Sequence, residues 1–220
     1  MSTNSCDPAD FDRLRHLDAE AVRDSVTLVR RITPDDLTRP TPCSAWTLAD
    51  LLAHMTAQHR GFAAAALGQG EDLTHWTPRP SAERPATEDA VAEYGEAAEE
   101  VIAAFAAIAA PDHPFALPEI TAAGTFPAAQ AITFHLVDYV AHGWDVARSL
   151  GLGYQPGPDL LRAALPIALA VPDGDARLAP GSPFGPGLDA VPGASELDRL
   201  LAALGRSPDW AVPQTRSVTC

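Results

Sequence analysis

The sequence is poor in cysteine, and its three cysteines stand at unrelated spacings. They are Cys6, Cys43 and Cys220, an odd number with one near each terminus. A disulfide-stapled domain uses an even, clustered set and a zinc knuckle uses closely spaced pairs, so neither class of protein is predicted. At 220 residues the chain is long enough to bury a core without such cross-links. The pattern favours a reducing compartment.

Long apolar runs and positive charge are also scarce. The apolar stretches stop short of the roughly 20 residues that a membrane-spanning helix needs, and the first residues lack a basic start followed by an apolar run. The chain has 29 acidic residues against 15 basic ones, a formal net charge of −14. Because this field repels phosphate backbones and anionic lipid headgroups, we expect a cytoplasmic protein that binds neither nucleic acid nor membranes.

What the sequence has in abundance is helical periodicity. Apolar residues recur at three- and four-residue steps in four segments, which predicts four long helices. Thr47 begins the second segment with Asp50 three residues on, as in a capping box. Alternating runs, which predict strands, extend over only a few residues. We therefore predict an all-α four-helix bundle, with helices over 10–32, 47–68, 87–110 and 127–151.

The last third of the chain has a different composition. Residues 158–170 and 195–204 predict two short helices, and the Pro/Gly-rich stretch between them cannot be helical. We expect residues 1–155 to form the bundle and residues 156–220 to form a helical and loop appendage packed on it. Another Gly/Pro-rich segment, 68–85, is longer than most connections within a domain, and long loops often line sites.

Three side chains on two predicted helices form a candidate metal site. Asp138 and His142 stand four residues apart, so they are stacked neighbours on one helix face and could together grip an ion. A surface Asp–His ion pair is the alternative interpretation. His54 supplies a third ligand if the second and fourth helices face each other, because bundle metal sites arise from facing side chains. Three protein ligands leave one coordination position open.

Two further residues of the fourth helix are candidates for catalytic roles. His135, one turn before Asp138, could be a fourth ligand or a proton shuttle, although a polar residue that merely lines a site is commoner. Asp145 could accept a hydrogen bond from His142 and orient its ring, or could pair with Arg148 instead.

Other polar residues have more ordinary interpretations. Cys43 could approach the metal, but a small buried side chain is the commoner role of such a cysteine. His16 and His59 are expected at the surface or in a helix seam, without a catalytic role. Arg79 and Arg84, in the long loop, could receive the carboxylate of an anionic substrate or could simply be solvated.

The segments that carry these residues resemble a known family. PTPCSAWTLADLLAHM is similar to the second-helix signature of the DinB-like superfamily branch that includes the mycothiol-dependent maleylpyruvate isomerases, and DYVAHGWDVARSLG is similar to its fourth-helix signature. The closing run LDRLLAALGRSPDW resembles the C-terminal end of actinobacterial metal-binding members of this branch. The resemblance implies a DinB-like bundle with the metal ligands His54, Asp138 and His142. Isomerases of the group carry Glu at the middle position, so the shorter Asp138 is a departure.

The same resemblance implies a chemistry. It predicts a divalent metal ion, with zinc favoured over nickel, iron or manganese, and a low-molecular-weight thiol such as mycothiol or bacillithiol. Zinc deprotonates a coordinating thiol whose free pKa is about 8.5, so the implied function is a thiol-dependent isomerase or transferase acting on a small molecule.

Two alternatives stay open beside this function. One is a metal-dependent hydrolase or lyase that uses metal-bound water in a biosynthetic pathway, and the other is a metal-binding protein without catalysis. A substrate pocket beside the metal, lined by the 68–85 loop, would favour an enzyme, whereas a fourth ligand from His135 or Cys43 would favour storage or structure. A homodimer is compatible with each function.

Overall fold

The structure is a computed structural model that describes residues 7–43, 46–84, 86–121, 123–179 and 182–212. It is mostly helical, which confirms the predicted all-α class. None of the described helices combines the length and apolarity needed to cross a membrane. The helices are α1 (Pro8–Val29), α2 (Leu48–Ala66), α3 (Thr87–Ala106), α4 (Ala128–Ser149), α5 (Pro158–Ala170) and α6 (Glu196–Ala203), and a small antiparallel ribbon pairs β1 (Pro114–Phe115) with β2 (Phe126–Pro127).

Local signals in the sequence set the helix ends. The predicted capping box begins α2: the Thr47 backbone N–H donates to Asp50 Oδ2 at 2.9 Å, and the Asp50 backbone N–H donates to Thr47 Oγ1 at 3.3 Å. Gly68 and Gly151 follow α2 and α4 in the left-handed conformation that ends many helices. The third helix begins at Thr87, where its predicted range begins, and Ala86 stands at the cap position.

The four long helices form the predicted bundle. α1 packs against α3 and α4, and α2 also packs against α3 and α4. Leu51 and Met55 of α2 and Tyr139 and Val140 of α4 are fully buried in its core, where each large apolar side chain contributes about 1.5–3 kcal/mol. This packing places α2 beside α4, the two helices that carry the predicted metal ligands.

The C-terminal helices cover one side of the bundle. α5 packs against α1 and α4, and α6 packs against α5. Leu160 of α5 and Leu200 of α6 are fully buried in the same hydrophobic cluster as residues of α1, α2 and α4. The chain leaves α6 at Leu204 and places Arg206 against α4. The C-terminal segment is therefore in position to form part of a site on α4.

Candidate metal centre

The side chains of His54, Asp138 and His142 meet between α2 and α4. One nitrogen of each histidine and one carboxylate oxygen of Asp138 lie within 4.8 Å of one another. His142 Nε2 is 3.4 Å from Asp138 Oδ1, and the centroids of the two imidazole rings are 5.3 Å apart in an edge-to-face arrangement. The structure thus brings together the three residues predicted as ligands, which we call the triad.

Neighbouring elements hold the triad in place. His54 lies on α2 two turns beyond the capping box, and the Trp46 ring packs with its centroid 4.6 Å from the His54 ring. Asp138 and His142 are one turn apart on α4, so their side chains stack along one face. His142 is only 3% exposed, whereas Asp138 is partly exposed. The triad therefore sits at the edge of the core, with one side open.

A buried carboxylate orients the His142 ring. Asp145 Oδ2 accepts a hydrogen bond from His142 Nδ1 at 2.9 Å. Both Asp145 oxygens also accept from Arg206, whose Nε lies 3.0 and 3.1 Å from them and whose Nη2 lies 2.9 Å from Oδ2. Because an ionised carboxylate can only accept, Nδ1 is the donor, so Nε2 is the ring nitrogen that faces the triad and that would bind a metal ion once its proton has left.

This arrangement matches one of the two interpretations of Asp145. Carboxylate–histidine pairs of this kind commonly fix metal-binding imidazoles in one orientation. Arg148, the alternative partner, instead donates to the backbone carbonyls of Pro208 and Trp210 at 3.1 and 3.0 Å. Asp145 is therefore placed to act on His142 through its Nδ1 hydrogen.

The surroundings shift the pKa values of the two triad histidines in opposite directions. Burial, together with the nearby His142, lowers the pKa of His54 to about 4, so His54 is neutral at pH 7. Burial also disfavours charge on His142, but Asp138 and Asp145 outweigh it and raise the pKa of His142 to about 10. Burial likewise opposes the Asp145 charge, but Arg206 and His142 lower the pKa of Asp145 to about 2. In the absence of a metal ion, His142 is therefore protonated at pH 7 because of the neighbouring carboxylates of Asp138 and Asp145.

A pocket of about 390 Å³ opens on the triad. One wall comes from the segment before α2, with Cys43 and Trp46, and another comes from the C-terminal segment, with Phe184 and Arg206. The 68–85 loop would favour an enzyme if it lined this pocket, but none of its described residues does so. That loop is held elsewhere, because Arg79 and Arg84 form ion pairs with residues on α3 and α2 that lie outside the triad pocket.

His135 belongs to a different cluster in the bundle core. Its ring is fully buried, and its Nδ1 donates to Asp18 Oδ1 of α1 at 2.7 Å. Its Nε2 is 3.3 Å from Nδ1 of His59, which is also fully buried and stacks on Tyr139. The structure does not bring His135 to the triad, so it gives no support to a fourth ligand or proton shuttle there. His59 is a core residue, whereas His16 is exposed as expected.

Cys43, which the sequence suggested could approach the metal, and Arg206, which the sequence did not single out, both lie near the triad. Cys43 Sγ is 3.4 Å from Asp145 Oδ2 and 3.6 Å from Arg206 Nη2. Cys43, His142 and Asp145 form a second group of donor atoms, in which Asp145 contacts Nδ1 of His142, whereas Asp138 lies near Nε2 of the same ring. The only sequence signal for Arg206 was its place in the closing run LDRLLAALGRSPDW.

An all-α bundle with two histidines and an aspartate meeting between two helices defines a class of candidate metal-binding proteins. Residues 19–147 match the model of the mycothiol maleylpyruvate isomerase N-terminal domain, and the chain belongs to that family. Two uncharacterized proteins of Mycobacterium tuberculosis, from strains CDC 1551 / Oshkosh and ATCC 25618 / H37Rv, are similar to it. Each is 31% identical over 181 residues, which cover 82% of this chain and 90% of the relative. No solved structure matches the chain.

Proposed function

We propose that this protein is a metal-dependent enzyme whose His54, Asp138 and His142 bind one divalent ion, and that it uses a low-molecular-weight thiol to isomerise a small molecule or transfer a group to it. The observation that carries the proposal is the pocket of about 390 Å³ that opens on the triad. A storage or structural site is closed by a fourth protein ligand, whereas a catalytic site keeps a position open. Membership of the mycothiol isomerase family supports the thiol.

The donor set fits a divalent ion. Two imidazoles and one carboxylate are the ligands of many catalytic zinc sites, which makes zinc the first choice over nickel, iron or manganese. His54 is neutral at pH 7 because of its low pKa, and His142 is oriented by Asp145. When bound, the ion would lower the pKa of a contacting thiol from its free value of about 8.5.

The other pocket residues shape the space for a substrate. Trp46 and Phe184 provide aromatic wall surface. Arg177 also lines the pocket, but it donates to the backbone carbonyls of Val171, Pro172, Gly185 and Ala203 and so holds the C-terminal wall in place. Arg206 is similarly engaged by Asp145. The pocket thus offers a small molecule an aromatic wall, with the open side of the triad to receive its reacting group.

The test is a spectroscopic titration of cobalt-loaded protein with mycothiol. A thiol that enters the coordination sphere should produce a sulfur-to-cobalt absorption band, and S-methyl mycothiol, which has no ionisable thiol, should not. The response should be lost in the His54→Ala variant. If mycothiol, bacillithiol and glutathione all give no band at about 10 mM, the thiol function is wrong, and the two alternatives are then a hydrolase or lyase and a metal-binding protein without catalysis.

A further inference from the structure

A second pocket lies on another face of α2, where the segment 73–84 folds back over α2 and α3. Its volume is about 90 Å³, and among the described residues it shares no lining residue with the triad pocket. Its inner surface is largely apolar, with Leu37, Ala49, Leu52, Ala53, Ala57 and Pro78. Part of the long 68–85 loop thus lines this pocket, and none of the described residues of that loop lines the triad pocket.

Three arginines surround the pocket. Glu93 Oε1 accepts from Arg60 at 3.3 Å and from Arg79 at 2.5 Å, so one carboxylate is shared by two guanidinium groups. Asp50 Oδ1 accepts from Arg84 at 2.8 Å. Three positive charges thus face two negative ones, which leaves one positive charge beside an apolar surface in a chain of formal net charge −14.

The ion pairs position the guanidinium groups without using all of their hydrogens. Each guanidinium carries five N–H groups in a fixed planar fork. Arg84 uses one on Asp50 and one on the Arg79 carbonyl, at 2.8 and 3.3 Å. The side chain of Arg79 is 49% exposed at the mouth, and that of Arg84 is 22% exposed. Such arginines suit a carboxylate, which accepts two parallel hydrogen bonds.

We propose that this pocket binds a small monocarboxylate with a compact alkyl body. The carboxylate contacts Arg79 and Arg84 at the mouth, and the alkyl group lies against Leu37, Leu52 and Ala49. The single excess positive charge selects a monoanion over a dianion. The volume of about 90 Å³ is smaller than that of an engineered cavity of about 150 Å³ that holds benzene, so a branched chain of roughly three or four carbons fits.

The test is calorimetric titration of the full chain with isobutyrate in a buffer free of carboxylates. We expect one saturable site with a Kd on the order of 1 mM, as suits so small a ligand. Isobutyramide, which has the same shape but no charge, should bind at least about tenfold more weakly. Equal binding of the two compounds, or no saturation by about 50 mM isobutyrate, would overturn the proposal.

Variants locate the binding. Arg79→Gln and Arg84→Gln should each weaken isobutyrate about tenfold, the usual loss for a hydrogen bond to a charged group, and Ala49→Leu should block it by filling the pocket. Arg162→Gln is the matched control, because Arg162 is an exposed arginine of α5 that pairs with an aspartate. Arg79 is half-exposed, so its variant should fold even if Ala49→Leu does not. Binding that survives both arginine variants, or that disappears in His54→Ala, refutes the site.

Discussion

Replacing Arg206 by Gln should damage both the fold and the metal site, because Arg206 is the buried partner of Asp145. The guanidinium is 6% exposed, and the carboxylate it contacts is fully buried. Asp145 in turn accepts the hydrogen of His142 Nδ1. Removal of the arginine leaves the buried carboxylate of Asp145 without its positive partner, next to the proposed metal ligand His142.

The size of the effect follows from the pKa of Asp145. Its lowering from 3.8 to about 2, which Arg206 and His142 cause together against the effect of burial, corresponds to roughly 2 kcal/mol of stability, since one pKa unit equals 1.36 kcal/mol. This contribution is fully present above pH 3.8 and is lost as the pH falls through 2. Removing one partner of a buried ion pair destabilises a protein by about 3–5 kcal/mol, and loss of an orienting carboxylate interaction lowers metal affinity by about 10- to 100-fold.

Arg148→Gln is the matched control for this variant. Arg148 also links α4 to the C-terminal segment, but it donates to the backbone carbonyls of Pro208 and Trp210 rather than to a buried carboxylate. Its loss should destabilise by about 1–2 kcal/mol and leave metal affinity unchanged. Urea denaturation followed by circular dichroism measures stability, and competition with a chromophoric chelator measures zinc affinity.

The comparison between the Arg206→Gln and Arg148→Gln variants tests whether Arg206 supports the metal site. Arg206→Gln must lose more stability than Arg148→Gln and must lose zinc affinity as well. Arg206→Lys should fall between wild type and Arg206→Gln, because lysine keeps the charge but not the planar fork, and it serves as the measurable variant if Arg206→Gln does not fold. Equal stability losses in the two Gln variants, with unchanged zinc affinity in both, would refute the role of Arg206.

Three further outcomes are expected at the triad. His54→Ala and His142→Ala should each abolish stoichiometric metal in elemental analysis, because two remaining ligands seldom hold zinc; full metal content in both would remove the site. Asp138→Glu should retain the metal and Asp138→Ala should retain less, measured in the same way, since Glu restores a carboxylate with longer reach. In metal-free protein the pKa of His142 is raised from 6.5 to about 10, so its contribution to stability is complete below pH 6.5 and lost as the pH rises through 10. Zinc binding at pH 6, where zinc-bound water with a pKa near 7 keeps its protons, should therefore release about one proton, detectable by calorimetry in buffers of different ionisation enthalpy, and zero release would contradict a protonated His142.

The helices were predictable because their signals are local. The apolar period places α5 at Pro158–Ala170, the segment predicted for it, and the capping box at Thr47 sets the start of α2. The pairing of Asp138 with His142 follows from the same period, since residues four apart stack on one helix face. His54 joins this pair when the second and fourth helices face each other, and neighbouring helices of a small bundle commonly do so.

The remaining features depend on which neighbour each helix face meets, and a helical period does not contain that information. His135 is about 60° around α4 from Asp138, and it contacts Asp18 of α1 and His59 of α2 instead of the triad. Asp18 is buried, whereas aspartate side chains usually lie at the protein surface. The pairing of Asp145 with Arg206 joins residues 61 positions apart, and no pattern within one helix could predict it.

The triad and one wall of its pocket come from different parts of the chain. The family match ends at residue 147 and includes all three triad residues and Asp145. The wall that Phe184 and Arg206 build lies beyond it. Because an enzyme discriminates substrates through the pocket walls that contact them, the proposed function predicts that the C-terminal segment strongly affects which small molecule binds. A change at Phe184 should therefore alter which small molecule is accepted while leaving zinc bound.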